Sequence, residues 1–175
     1  RRSFSVDTAG GLVHIDLNVD RYGDASDATV EMGQATFAPK ALPCSFKVDE
    51  LIEQPITAGK QKLRFTGVSV GNPHCVVFRP KGKKWTRDEM LALGPELENH
   101  RLFPRRTNVQ FAVPTGPREI FILIWERGAG ETLASGSSSC AAASAAVRLG
   151  LVQSPVQVNA PGGTLHVDID EAYNI

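Results

Sequence analysis

A carboxylate, a guanidinium and two glycines stand together in Glu126-Arg127-Gly128-Ala129-Gly130-Glu131-Thr132, directly after the apolar run Ile120-Phe121-Ile122-Leu123-Ile124-Trp125. A buried strand thus delivers two opposite charges side by side into a loop too rich in glycine to serve packing, and glycine permits positive φ and close approach of a ligand. Gly136 and Ser137-Ser138-Ser139 then open an alanine-rich stretch of helical character. Backbone N–H groups and hydroxyls converge there, at the positive end of the helix dipole. Such a cradle suits a carboxylate, while Arg127 can clamp a second carboxylate bidentately and Glu126 can hold an ammonium. These demands together describe an amino acid. A plainer reading stands beside it: Glu126 and Arg127 as a strand-end ion pair, and the Gly/Ser stretch as a turn and N-cap.

Gly71-Asn72-Pro73-His74 forms a second cluster, between two apolar runs. It places an amide with donors and an acceptor beside an imidazole that titrates near pH ~6.5. The pair either reads a polar ligand or is a turn with a surface histidine. Asn108, after Arg105-Arg106-Thr107, is either a ligand contact or a strand-start residue. Cys75 begins an apolar strand and Cys140 lies in the alanine run, so both are expected to pack as small hydrophobes with no nucleophilic role. His14, His74, His100 and His166 show no i, i+4 pairing and no cysteine partner at zinc-ligand spacing, so no metal site is expected.

The elements that must position these groups follow from periodicity. Phe4 and Val6, then Val13, Ile15, Leu17 and Val19, alternate with polar residues around Ala9-Gly10-Gly11, which predicts a β-hairpin. A weaker strand is expected near Thr29 to Phe37, and Pro39, Pro43 and Pro55 mark a loop-rich stretch up to Gly59. Leu63 to Val70, Cys75 to Phe78, Asn108 to Val113 and Glu119 to Trp125 read as strands. The last of these is apolar enough to be buried on both faces. Thr86-Arg87-Asp88-Glu89 fits a capping box that opens a helix ending near Asn99. Ser137 to Leu149 is the second helix, with Gly150 as its stop, and Val156 to Ile169 closes the chain as a hairpin around Pro161-Gly162-Gly163. Narrow alanines let strands surround a helix on all sides, so the expected class is α+β: an antiparallel, barrel-like sheet wrapped around a central alanine-rich helix.

Composition excludes several classes. The 175 residues suffice for a real core, and 19 basic residues balance 19 acidic ones, leaving no overall field for nucleic acid or an anionic membrane. No apolar run approaches the roughly 20 residues needed to cross a bilayer, and Arg1-Arg2-Ser3 leads into a strand pattern rather than a signal segment. Three widely spaced cysteines, Cys44, Cys75 and Cys140, argue against a disulfide framework and for a reducing, cytoplasmic compartment. Arg rather than Met at position 1 leads us to expect either a chain that has lost a tag or a piece of something longer.

Three segments in this order and spacing closely resemble the diaminopimelate epimerase family: Val68-Ser69-Val70-Gly71-Asn72-Pro73-His74-Cys75-Val76, Arg106-Thr107-Asn108-Val109, and Glu126 through Thr132-Leu133-Ala134. The similarity extends over essentially the whole chain, from Phe4-Ser5-Val6-Asp7-Thr8-Ala9-Gly10-Gly11, which looks like the opening of the family's second lobe, to the Pro161-Gly162-Gly163 hairpin. What the resemblance implies is a pseudo-symmetric enzyme of two lobes, each a barrel-like sheet around a central helix, with residues 1–175 forming the C-terminal lobe as a single domain and the N-terminal lobe absent. Such enzymes interconvert LL- and meso-diaminopimelate, for lysine and peptidoglycan synthesis, without pyridoxal phosphate, metal or other cofactor. Two cysteines act from opposite faces of the α-carbon, one thiolate taking the proton while the other thiol returns one.

Carried over residue by residue, the resemblance makes Asn72, Asn108, Glu126 and Arg127 substrate contacts, and Gly136 with Ser137 the helix start that receives the α-carboxylate. His74 and Glu126 match groups that assist the cysteine pair. Ser135 occupies the position of the family's second cysteine, and the first cysteine belongs to the other lobe. A thiol ionises near pH ~8.5 and can be tuned lower, whereas a serine hydroxyl without an evident base is a poor proton abstractor. An engineered knockout, a branch using one cysteine, and a branch with different chemistry, such as another racemase or a dehydratase, remain open. So does a non-catalytic amino-acid-binding module. The expected partners are a small amino-acid substrate and the missing lobe, with a homodimer as one way to cover an exposed lobe interface.

Overall fold

A computed structural model describes residues 2–8 and 11–175 of the chain. By contacts it divides into two compact units, Arg1–Gly33 and Gln34–Ile175, where the sequence reading treats the chain as one lobe. In the first unit β1 (Arg2–Thr8), β2 (Gly11–Val19) and β3 (Ala25–Val30) form an antiparallel meander. The expected hairpin is β1 and β2, with Phe4 opposite Ile15 and Val6 opposite Val13; Ala9 and Gly10 of its turn lie outside the described residues. The weaker strand sits earlier than Thr29 to Phe37. It ends at Val30, and beyond it only isolated bridges at Gln34 and Thr36 remain.

The second unit carries one large sheet in the order β11-β10-β8-β7-β6-β5-β4, with β9 added beside β8. Its strands are β4 (Gln54–Ala58), β5 (Gln61–Ser69), β6 (Pro73–Phe78), β7 (Asn108–Gly116), β8 (Glu119–Glu126), β9 (Gly130–Thr132), β10 (Val156–Ala160) and β11 (Gly163–Val167). The α+β class holds, but the sheet is mixed rather than purely antiparallel. β6 pairs with β7 in parallel, and so does β10 with β8. Both links contain a helix, and a parallel pair needs such a crossover where a tight turn can only reverse the chain. β4 falls inside the stretch read as loop, its pattern masked by Pro55.

The helices take opposite faces. α2 (Gly136–Arg148) is buried without a break from Ser138 to Ala146 and packs against β5, β6, β7, β8, β10 and β11. Serine, alanine and cysteine are narrow enough for strands to approach this helix from several sides at interior density. α1 (Arg87–Glu98) begins in the expected capping box, with Thr86 Oγ1 accepting from Glu89 N (3.2 Å) and Thr86 N donating to Glu89 Oε2 (3.0 Å). It covers the outer side of the sheet through Met90, Leu93 and Leu97, which join Cys75, Val77, Val109, Phe111 and Leu123 in one apolar cluster. Gly94 lets α1 come close: a Cβ there would lie 2.6 Å from the Trp125 ring.

Strand alternation divides β6, β7 and β8 between these helices. Cys75, Val109 and Phe111 turn toward α1, and His74, Asn108 and Gln110, at alternate positions, take the other face.

Candidate functional site

The register places the sequence-marked residues at one end of the large sheet. β6 starts at Pro73 and β7 at Asn108, with His74 opposite Asn108, while β8 runs the other way and ends at Glu126 beside them. Two starts and one end therefore meet at the same edge, which is where connecting segments can carry charged groups without burying them.

Asn108 is the joint between two of the motifs. Its side-chain NH2 donates to the Pro73 carbonyl (2.9 Å), and its Oδ1 accepts the Arg127 backbone N–H (2.9 Å). One buried carboxamide thus clamps the Asn-Pro-His turn to the Glu-Arg-Gly loop. In that loop Ala129 N–H donates to the Glu126 carbonyl (3.2 Å) and Gly128 has φ +80°. This is the signature of a type II turn, whose third position requires glycine, and it puts Arg127 at the corner.

Glu126 and Arg127 do not pair with each other, so the strand-end ion pair is not what forms. Glu126 Oε2 accepts from the Thr132 hydroxyl (3.2 Å), whereas Arg127 Nη1 donates to the Arg105 carbonyl (3.3 Å). The exposed guanidinium keeps further donors for a ligand, and the half-buried carboxylate keeps its second oxygen.

Glu98, which sequence reasoning missed, supports this loop from below. It is only 6 % exposed and accepts from Gly128 N–H (2.8 Å), Arg106 Nη1 (3.1 Å) and the Trp125 indole N–H (2.8 Å). Three donors on one buried carboxylate satisfy it and fix the turn that carries Arg127. The available signal was its place: a carboxylate in the last turn of a helix opposes the macrodipole and needs another reason to be there. Arg106 reaches it with φ +59°, an uncommon backbone for a branched-free but bulky residue.

His74 is fully buried rather than the surface histidine of the plainer reading. Its Nε2 lies 2.8 Å from Asn72 Oδ1 and its Nδ1 3.0 Å from the Gln110 side-chain nitrogen. Burial drives its pKa down to about 3; the Gln110 hydrogen bond opposes the shift and the Arg127 charge adds to it. The ring is therefore neutral at physiological pH. Gln110, also missed, continues to Ser138 Oγ (3.0 Å) in the first turn of α2. Its signal was one amide in the otherwise apolar run Val109-Gln110-Phe111-Ala112-Val113.

Among the described residues, the Gln110–Ser138 contact is the hydrogen bond that joins the start of α2 to the other groups. Ser135 is the N-cap residue, with extended backbone (φ −156°, ψ 127°), and its hydroxyl makes no capping bond. The first helical bond is Ser139 N–H to the Ser135 carbonyl (3.0 Å). The N–H groups that open the helix thus have no intrahelical acceptor, as in any first turn. Ser135 and Gly136 line a cleft of about 240 Å3 with Gly162, Gly163, Thr164 and Leu165, and Gly162 N–H donates to the Leu133 carbonyl (2.8 Å). Ser137 is half-buried on the first turn.

Cys75 and Cys140 are buried, as expected of packing residues, and burial raises both thiols, Cys140 to about 11 and Cys75 further. Neither is an accessible thiolate near neutrality. Among the described residues no group of three or more His, Cys, Asp and Glu could hold a metal ion, and no helix is long and apolar enough to cross a membrane.

A mixed sheet wound around a buried small-residue helix is a fold that this chain shares with solved structures. The structure of a hydroxyproline epimerase from Agrobacterium vitis matches with a TM-score of 0.69 at 14% identity, over 97% of this chain and 51% of that one. A phenazine biosynthesis protein of the PhzF family from Bacillus anthracis matches with a TM-score of 0.55 at 15% identity, over 97% and 61%. In sequence, the family model described as diaminopimelate epimerase matches residues 66–174. The diaminopimelate epimerase of Leptospira biflexa is 37% identical over 168 residues, 95% of this chain and 59% of that protein. Diaminopimelate epimerase 2 of a Nostoc strain is 39% identical over 175 residues, 99% and 59%. The chain belongs to the diaminopimelate epimerase family. It spans about 59% of the length of these curated relatives.

Proposed function

We propose that this chain supplies the C-terminal lobe of a cytoplasmic, cofactor-independent amino-acid epimerase acting on LL- and meso-diaminopimelate in lysine biosynthesis. The observation that carries the reading is the Asn108 clamp, which joins the Asn72–His74 turn to Glu126-Arg127 at the edge where α2 also begins. Gly136 and Ser137 receive the α-carboxylate on open helix N–H groups. Arg127, Asn72 and Asn108 hold the remaining polar groups of the substrate, and Glu126 takes an ammonium. The N-terminal lobe of the same enzyme is the partner that closes the other side, and pairing of two copies is an alternative cover.

In the family reaction the Cα–H bond breaks, its proton passes to a thiolate on one face, and a thiol on the opposite face delivers a proton to the resulting carbanion. Ser135 stands at one of those positions. Its hydroxyl is not ionised near neutrality, and His74, neutral and buried, is too weak a base to take the thiolate's place. The same two facts favour a second reading, in which the lobe binds an amino acid without turning it over.

The test is α-proton exchange of diaminopimelate in deuterated water, with the N-terminal lobe of a diaminopimelate epimerase supplied. Ser135→Cys should raise exchange by orders of magnitude over the Ser135 chain. No rise, with calorimetric binding of diaminopimelate retained, would favour the binding module; no rise and no binding would discard both.

A further inference from the structure

We infer that Gln110 is a positioning residue, which holds the neutral His74 ring in its Nε2–H tautomer and so fixes the Asn72 carboxamide with its oxygen toward the ring and its NH2 group left for the ligand. Gln110 lies fully buried among aliphatic side chains on the α2 side of β7, where Val76, Ala112 and Ile124 share its surroundings in register. Its side-chain nitrogen has two hydrogens, and both are engaged, one on His74 Nδ1 and one on Ser138 Oγ, each at 3.0 Å. A nitrogen that accepts from an amide N–H bears no proton itself, so the proton of the neutral ring is on Nε2. Nε2–H then donates to Asn72 Oδ1 at 2.8 Å. With its oxygen held by the ring, the Asn72 carboxamide is fixed in orientation and its NH2 group is left for a ligand, which favours a carboxylate or carbonyl oxygen.

The carboxamide carries a local cost. Gln110 Oε1 is buried and has no hydrogen-bond partner, and a buried carbonyl without a donor forfeits its hydration for nothing in return. A leucine of similar length would avoid that loss but would leave His74 Nδ1 and Ser138 Oγ without the donor they share. Polar groups that break a local packing rule in this way mark functional positions. The buried environment, together with Arg127, keeps the ring uncharged at neutral pH. The position of one proton, rather than its presence, is thus what Gln110 sets.

The consequence for Asn72 rests on the epimerase reading, but the tautomer does not, and it is measured without substrate. In the 15N-labelled chain at pH 7, the two ring-nitrogen shifts of His74 should report Nε2–H alone. Gln110→Leu should populate Nδ1–H alongside it, because no amide hydrogen then faces Nδ1. A wild-type ring protonated at Nδ1, or a Gln110→Leu ring still wholly Nε2–H, would overturn the proposal. Should Gln110→Leu fail to fold, the wild-type shifts decide it. If the tautomer is as stated and diaminopimelate still fails to bind, the epimerase reading falls and the role of Gln110 toward His74 stands.

Discussion

β6 and β7 show two different proteins on their two faces. Toward α1, Cys75, Val77, Val109 and Phe111 form a continuous apolar cluster with Met90, Leu93, Leu97 and Trp85. Toward α2, the same strands place His74, Asn108 and Gln110, and Ser138 of α2 meets Gln110, while Ser139 and Ser144 are buried in the same helix. Adjacent residues in the chain thus serve opposite ends. The outer face needs only shape and apolar area, whereas each polar group on the inner face needs a named partner. Two of them, Gln110 Oε1 and Ser144 Oγ, have none. The outer face should therefore carry more of the stability and the inner face more of the chemistry.

Three measurements would break or sharpen that division. The largest effect belongs to the outer face. Phe111→Ala, at a fully buried ring held edge-on to Trp85 with centroids 5.0 Å apart, should cost about 3–5 kcal/mol in urea unfolding. A cost no larger than that of inner-face truncations would erase the contrast.

Next comes Glu98→Ala, which strands the Gly128 amide and the Trp125 indole and should cost about 1–3 kcal/mol. It should also speed hydrogen exchange at Gly128 and weaken diaminopimelate binding, because the turn beneath Arg127 loses its anchor. Unchanged exchange at Gly128 would show that the turn holds itself.

The third effect is a slope. His74 protonates near pH 3 in the folded chain and near pH ~6.5 when unfolded, so the unfolded chain binds the extra proton between those values. Stability from the neutral ring is complete above about pH 6.5 and is lost as pH falls toward 3, by at most about 1.4 kcal/mol per pH unit. Urea titrations from pH 7 to pH 4 should be flatter for His74→Leu than for the wild type. Equal slopes would mean that the ring takes a proton while folded.

Much of this was legible from residue types and spacing. Alternation placed β1, β2, β5, β6, β7 and β8, the capping box placed α1, and the run from Cys140 to Val147 placed α2 as a helix that strands could enclose. The motif residues Asn72, His74, Asn108, Glu126 and Arg127 were all marked, and the structure brings them to one edge of the sheet. β4 was hidden because a proline within a strand reads as loop. β9 was hidden because three residues beside a glycine turn carry no period of their own. The parallel pairings escaped because periodicity reports which residues share a face, not which strand lies alongside.

By itself, then, the sequence determined what each element would be and which side chains carry charge or hydrogen-bonding capacity, since propensity, capping and alternation are local. Tertiary structure decided the partners. Glu98 and Gly128 are 30 residues apart, Gln110 and Ser138 28, and no local rule names a contact across such a span. Burial likewise belongs to the fold: His74 is an ordinary imidazole until strands and α2 remove its water, after which only a neutral ring with satisfied nitrogens can occupy the place.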